Sequence, residues 1–138
     1  MSNAEATVYH EAGHAIVAAA LGCPITEVAI APHPRLRCWH RRHNPAEPAI
    51  VALAGNLAEQ RACPWSCWDA FVDLQRALDA AEYLTPTDPL ERLQIFLDQA
   101  EAILDQHWPE VEAVARALLK HGRLTGEQVA GIIDSLSG

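Results

Sequence analysis

Nine prolines set the points at which helices can begin and end along this chain of 138 residues. Proline interrupts a helix everywhere except in its first turn. Between the prolines, apolar residues recur at intervals of three and four positions, which is the pattern of amphipathic helices. Helices are predicted over residues 4–21, 49–62, 90–106 and 109–120, with another capped by Ser66 and a last one by Thr125. We therefore expect a mainly α fold.

A small β element is predicted directly after the first helix, which ends at Gly22 with Pro24 just beyond. Residues 25–31 alternate between apolar and polar positions and are rich in β-branched side chains, as expected of a strand. Residues 36–39 are a candidate for a second short strand. The length and the 50% hydrophobic content suit a single domain, residues 1–138, with its own core.

The charge and the hydropathy of the chain exclude two classes of partner. Its formal net charge is −8, and an acidic protein gains no counterion release on DNA or RNA. Its longest mostly apolar run, residues 15–25, is broken by Gly22 and Pro24 and has about half the length that spans a bilayer. The start of the sequence shows no basic region followed by an apolar core, the pattern of a signal peptide. We expect a cytoplasmic protein with neither a nucleic acid nor a membrane as partner.

The segment that carries chemistry is His10-Glu11-Ala12-Gly13-His14, within the first predicted helix. Histidines four positions apart share one face of a helix, so their ring nitrogens can meet at a single metal ion. Zinc lowers the pKa of bound water to about 7, and Glu11 can take the proton as that water attacks a carbonyl. The same carboxylate can pass the proton to the leaving amine. The motif predicts Zn²⁺ held by His10 and His14, with Glu11 as the general base of a peptidase.

Catalytic zinc has three protein ligands and a water, so a third ligand must come from elsewhere in the chain. In the extended motif His-Glu-x-x-His-x-x-Gly-x-x-His it is a third histidine, but Val17 and Ala20 occupy the glycine and histidine positions here. A carboxylate from a later helix is the next option. Glu59 is the first candidate from the residues alone, with Asp69 and Asp73 as alternatives.

The four cysteines raise the question of a second metal site. Cys63 and Cys67 are separated by three residues, where zinc and redox motifs usually have two. Together with Cys38, His40 and His43, this pair could form such a site. The alternative, which we favour, is that these cysteines are ordinary thiols in a reducing compartment.

Several segments of the chain resemble the FtsH family of ATP-dependent metalloproteases. The stretch Thr-Val-Tyr-His-Glu-Ala-Gly-His-Ala-Ile at 7–16 resembles the zinc motif of that family. Three further segments resemble the family and occur in the same order as in the family. They are the strand at 25–32, a Gly-x-x-Ala-Glu helix at 55–59 and an Asp-Leu-x-x-Ala segment at 73–77. Residues 102–104, 117–119 and 124–126 look like its closing helices. The resemblance therefore covers nearly the whole chain.

The resemblance implies a zincin-like metallopeptidase domain over residues 1–138. It makes His10, His14 and Asp73 the zinc ligands and Glu11 the general base. Glu59 then has the role of orienting a histidine, as carboxylates beside metal sites often do. The implied substrate is unfolded or flexible polypeptide, which by analogy with zincins would add as a strand along the edge of residues 25–31.

The chain also departs from the family. It contains no Gly-x-x-x-x-Gly-Lys-Ser/Thr loop for a nucleotide, so a separate ATPase or a homo-oligomer is an expected partner. The segment between the strand and Gly55 is short, and Val72 replaces an asparagine before Asp73. The alternative hypothesis is a catalytically inactive, zinc-stabilised adaptor or binding module. A hydrolase of non-peptide amides is a third hypothesis.

Overall fold

The computed structural model of the chain describes residues 3–40, 44–65 and 71–137. Along these residues the elements are α1 (Asn3–Ala20), β1 (Ile25–Ala29), β2 (Arg35–Cys38), α2 (Ala46–Ala62), α3 (Phe71–Leu84), α4 (Pro89–His121), β3 (Arg123–Thr125) and α5 (Gly126–Ser137). The predicted helix cap Ser66, the candidate ligand Asp69, Cys67 and His43 lie outside the described residues. The mainly helical architecture with a small antiparallel sheet after the first helix confirms the predicted fold class.

The ends of the helices follow the glycines and prolines closely. α1 ends before Gly22, whose positive φ of 81° lets its N–H bond back into the last turn. α2 begins three residues earlier than predicted because Pro48 lies in the first turn, where its missing N–H costs nothing. The two predicted segments 90–106 and 109–120 are joined as α4, which kinks at His107 just before Pro109.

The three described strands form one antiparallel sheet in the order β2-β1-β3. Val28 of β1 is fully buried and pairs with Leu36 on one side and Leu124 on the other. β3 has only three residues, too few for an alternating pattern, and was not predicted. The expectation that a substrate adds to the edge of the strand at 25–31 is wrong, because both edges of β1 are already hydrogen-bonded.

α1 is the central element, packed against α2, α4 and β1. Gly13 sets how closely α1 and α2 cross, since a Cβ atom there would lie 2.5 Å from the Cβ of Ala58 and 2.8 Å from the carbonyl oxygen of Ala54. The core residues of α1 include Val8, Ala12 and Ile16, and those of α4 include Phe96, Leu104 and Leu118. The close crossing brings the His-Glu-x-x-His face of α1 directly against α2. No described helix is both long and apolar enough to cross a membrane.

Candidate metal centre and active site

Both histidines of the motif are oriented by hydrogen bonds from their Nδ1 atoms to α2. The Nδ1 atom of His14 lies 2.6 Å from the carbonyl oxygen of Val51, and that of His10 lies 2.9 Å from Oε1 of Glu59. A carbonyl oxygen only accepts, so the Nδ1 atom of His14 must carry the proton. The carboxylate of Glu59 selects the same tautomer for His10. The ring of His14 therefore presents an unprotonated Nε2 atom, which is the state that binds a metal, and the Nε2 atom of His10 lies on the same side.

Asp73, in the first turn of α3, completes a triangle of donor atoms with these two nitrogens. Its Oδ2 atom lies 3.4 Å from Nε2 of His10 and 3.7 Å from Nε2 of His14. Two ligands about 2.0–2.1 Å from a tetrahedral zinc ion are about 3.4 Å apart, so both separations fit one ion. All three donor atoms lie within 4.8 Å of one another. The donor set, two imidazoles and one carboxylate with room for a fourth ligand, suits catalytic zinc.

The structure separates the candidate third ligands that the sequence leaves open. Glu59 contacts the Nδ1 atom of His10, the side of the ring that faces away from Asp73. It therefore occupies the orienting position that the family resemblance implies for it. Asp73 alone of the described candidates reaches the Nε2 atoms, while Asp69 lies outside the described residues.

Burial and the neighbouring charges shift the pKa values of the three candidate ligands in different directions. Burial, with a smaller contribution from the charge of His10, lowers the pKa of His14 to about 4, so this ring is neutral at neutral pH. Burial also lowers the pKa of His10, but the hydrogen bond with Asp73 and the nearby carboxylates of Glu11 and Glu59 outweigh it and raise the pKa above 6.5. For Asp73, burial raises the pKa, yet the hydrogen bond with His10 and the charges of both imidazoles hold it below 3.8. The carboxylate thus stays ionised as a ligand.

Glu11 is positioned for proton transfer rather than for metal binding. Its carboxylate is only 4% exposed, and its Oε2 atom lies 4.0 Å from Nε2 of His10. Burial raises the pKa of Glu11 to about 7, against the opposing charge of His10. A carboxyl group with a pKa near the working pH can both accept and return a proton. The geometry therefore suits Glu11 to the general-base role predicted from the motif.

The site opens into a cavity of about 600 Å³. Its floor is the His-Glu-x-x-His face of α1, and one wall is formed by Arg35, Leu36 and Cys38 of β2. Asp73 and Arg76 of α3 also line the cavity. Since β2 lies at an edge of the described sheet, a strand edge borders the metal-binding residues.

Gly55 is a site residue that sequence reasoning missed, because the sequence identifies it only as part of the Gly-x-x-Ala-Glu segment that resembles the family. A Cβ atom at this position would lie 2.4 Å from Nε2 of His14 and 2.9 Å from Nε2 of His10. The glycine therefore leaves room for both rings. The signal that could have identified it is its spacing of four from Glu59, which places the two residues on one face of α2.

The second cluster considered from the sequence, Cys63 and Cys67 with Cys38, His40 and His43, is not assembled by the described residues. Cys63 caps the C-terminal end of α2. Cys38 and His40 lie near the N-terminal end of that helix, because Cys38 contacts His40, His40 contacts Cys23, and Cys23 contacts Glu47 in the first turn of α2. A helix of 17 residues is about 25 Å long, so Cys63 is far out of reach. Cys38 and Cys63 are free thiols.

No protein-family model matches this chain, and no curated protein matches it either. The resemblance to the FtsH family therefore remains a prediction that rests on the quoted motifs.

Proposed function

We propose that this protein is a zinc-dependent peptidase that hydrolyses peptide bonds in unfolded or flexible polypeptides. The observation that carries the proposal is the meeting of three donor atoms from two separate helices. The Nε2 atoms of His10 and His14 and the Oδ2 atom of Asp73 lie at the spacing of zinc ligands, with Glu11 in the same cavity. An ordinary pair of surface histidines would not need three buried or half-buried partners arranged around them.

Zinc bound by these three residues would supply an acidified water and polarise the substrate carbonyl. The chain's own residues do the rest. Glu11, with its raised pKa, takes the proton of the attacking water and delivers it to the departing amine. Glu59 and the carbonyl of Val51 hold the two imidazoles so that their Nε2 atoms converge. The α-helical scaffold keeps this arrangement rigid.

The proposed substrate site is the free edge of β2, not β1. β2 forms a wall of the cavity, and no described strand pairs with its outer edge. An extended polypeptide can add there as a further strand, using its backbone hydrogen bonds for affinity and passing its scissile bond over the metal-binding residues. An unfolded segment satisfies this geometry, whereas a folded domain does not present a free strand. Delivery of unfolded segments by a separate ATPase or within a homo-oligomer fits the same requirement.

We also propose that the protein works in the cytoplasm. The support is the state of two cysteines: Cys38 and Cys63 are free thiols, as is usual in a reducing compartment.

Glu11→Gln tests the proposal directly. The variant is expected to keep its zinc, because Glu11 is not a ligand, and to lose hydrolysis of unfolded casein by about 10²–10⁴-fold. Zinc content is measured by elemental analysis and cleavage by release of peptides. Glu5→Gln, on the same helix but outside the cavity, is the matched control and should keep full activity.

The adaptor hypothesis makes a different prediction for the same experiment. An adaptor would bind zinc, cleave nothing as wild type, and be unaffected by Glu11→Gln. Zinc-loaded wild-type protein that leaves casein intact would therefore reject the peptidase proposal and favour the adaptor.

A further inference from the structure

We propose a second zinc site, separate from the active site, formed by Cys23, His40 and Glu47. The three residues come from three different parts of the chain. Cys23 lies in the turn between α1 and β1, His40 follows β2, and Glu47 lies in the first turn of α2. Their donor atoms lie within 4.8 Å of one another. A thiolate, an imidazole and a carboxylate are together a typical donor set for Zn²⁺.

The distances within this cluster fit a single tetrahedral zinc ion. The Sγ atom of Cys23 lies 3.4 Å from Nδ1 of His40 and 3.7 Å from Oε1 of Glu47. With Zn–S of about 2.3 Å and Zn–N or Zn–O of about 2.0–2.1 Å, tetrahedral geometry separates sulfur from its neighbours by about 3.5 Å. Both measured separations lie within about 0.2 Å of that value, the tolerance expected of a metal site.

The ring of His40 is oriented in the same way as the rings of the active site. Its Nε2 atom lies 3.5 Å from Sγ of Cys38, on the side of the ring opposite Cys23. This contact directs the Nδ1 atom toward Cys23 and Glu47. A partner on the second ring nitrogen is the usual arrangement around histidines that bind metal.

Burial favours a cation at this position. Cys23 and Glu47 are both only 5% exposed. A carboxylate that is withdrawn from water loses hydration energy, and a bound divalent cation compensates that loss directly. The cluster therefore combines buried charge, a soft sulfur ligand and an oriented imidazole.

A metal at this site would link the end of α1, the end of β2 and the start of α2. Cys38 and His40 also line the active-site cavity, so the link would hold the β2 wall in place beside the metal-binding residues of α1. The role is structural, as for zinc ions that stabilise small folds. It does not depend on the protein being a peptidase.

Cobalt substitution of the whole chain tests the site. Cobalt bound to a thiolate has a charge-transfer absorption in the near ultraviolet, and the proposed active-site ligands His10, His14 and Asp73 contain no sulfur. The wild type is expected to bind two Co²⁺ ions per chain and to show this band. Asp73→Ala is expected to lose the active-site ion but keep the band, whereas Cys23→Ala loses the band and one ion.

Cys63→Ala is the matched control, because Cys63 is also a buried cysteine but lies at the other end of α2. It should keep both ions and the band. Should Cys23→Ala fail to fold, as judged by circular dichroism, the half-buried His40→Gln replaces it and is expected to lose one ion. A wild type without the thiolate band, or a folded Cys23→Ala or His40→Gln variant that still binds two ions, overturns the site.

Discussion

Replacement of Gly55 by alanine would place a methyl group against both active-site imidazoles. The new Cβ atom would lie 2.4 Å from Nε2 of His14, whereas an ordinary contact needs at least 3.4 Å. The ring must therefore move by about 1 Å, which is about five times the tolerance of about 0.2 Å in a zinc–ligand distance. Moving α1 away as a whole would break the close packing of Gly13 against Ala58 and Ala54.

Gly55→Ala is expected to lower the affinity for zinc and to leave the fold unchanged. Disturbing the groups that support metal ligands typically weakens metal binding by 10–100-fold. For a ring displacement of about 1 Å we expect zinc affinity to fall by about 100-fold, which corresponds to about 2.7 kcal/mol. Alanine meanwhile favours a helix over glycine by up to about 1 kcal/mol, so the metal-free protein should not lose its secondary structure.

A competition titration against a chromophoric chelator measures the affinity, and thermal unfolding with and without chelator measures the fold. Gly131→Ala, on α5, is the matched control because a Cβ atom there meets nothing within 4 Å. It should keep wild-type zinc affinity. A Gly55→Ala variant that binds zinc within about threefold of wild type would refute the reasoning, since the imidazoles would then have room for the methyl group.

Two further predictions concern the third ligand and the sheet. Asp73→Ala should lower zinc occupancy, measured by elemental analysis at fixed free zinc, much more than Glu59→Ala, because only Asp73 faces the Nε2 atoms; equal losses would reject that assignment. Glu27 of β1 bridges Arg35 and Arg123 of the two neighbouring strands, and although burial raises its pKa, the charges of Arg123 and Arg35 hold the pKa below 4.5. This contribution to stability is present above pH 4.5 and is lost as the pH falls through the lowered pKa of the folded state. The melting temperatures of wild type and Glu27→Gln should therefore differ near neutral pH and converge in acid; a pH-independent difference would contradict the bridge.

Those features of the fold that depend on near neighbours in the chain were predictable. The reciprocal bonds between Thr125 and Gln128, at 2.8 and 3.2 Å, confirm the predicted capping box at the start of α5. The end of α1 at Gly22 and the break before Pro109 likewise follow from backbone geometry that one or two residues impose. β3 was missed because three residues carry too short a pattern, and its pairing partner lies about 95 positions away in the chain.

For the candidate site, the sequence limited the choices without deciding among them. The spacing of His10 and His14 places both on one helix face, whatever the rest of the chain does. Glu59 and Asp73 were both chemically suitable as the next ligand, and only the packing of α2 and α3 shows which face of the imidazoles each one reaches. The cluster around Cys23 had no local pattern at all, because its members are spread over residues 23–47.

The sequence by itself determined the mainly helical segments, the end of α1, the break before Pro109 and the paired imidazoles, since each depends on interactions within a few residues. Tertiary structure alone decided that Asp73 and Glu59 approach opposite nitrogens of His10, that β1 is closed on both edges, and that Cys23 meets Glu47. These contacts join elements that are distant in the chain. The contact of Glu59 with His10 depends on how closely α1 and α2 cross at Gly13, which is a property of packed surfaces and not of any single segment.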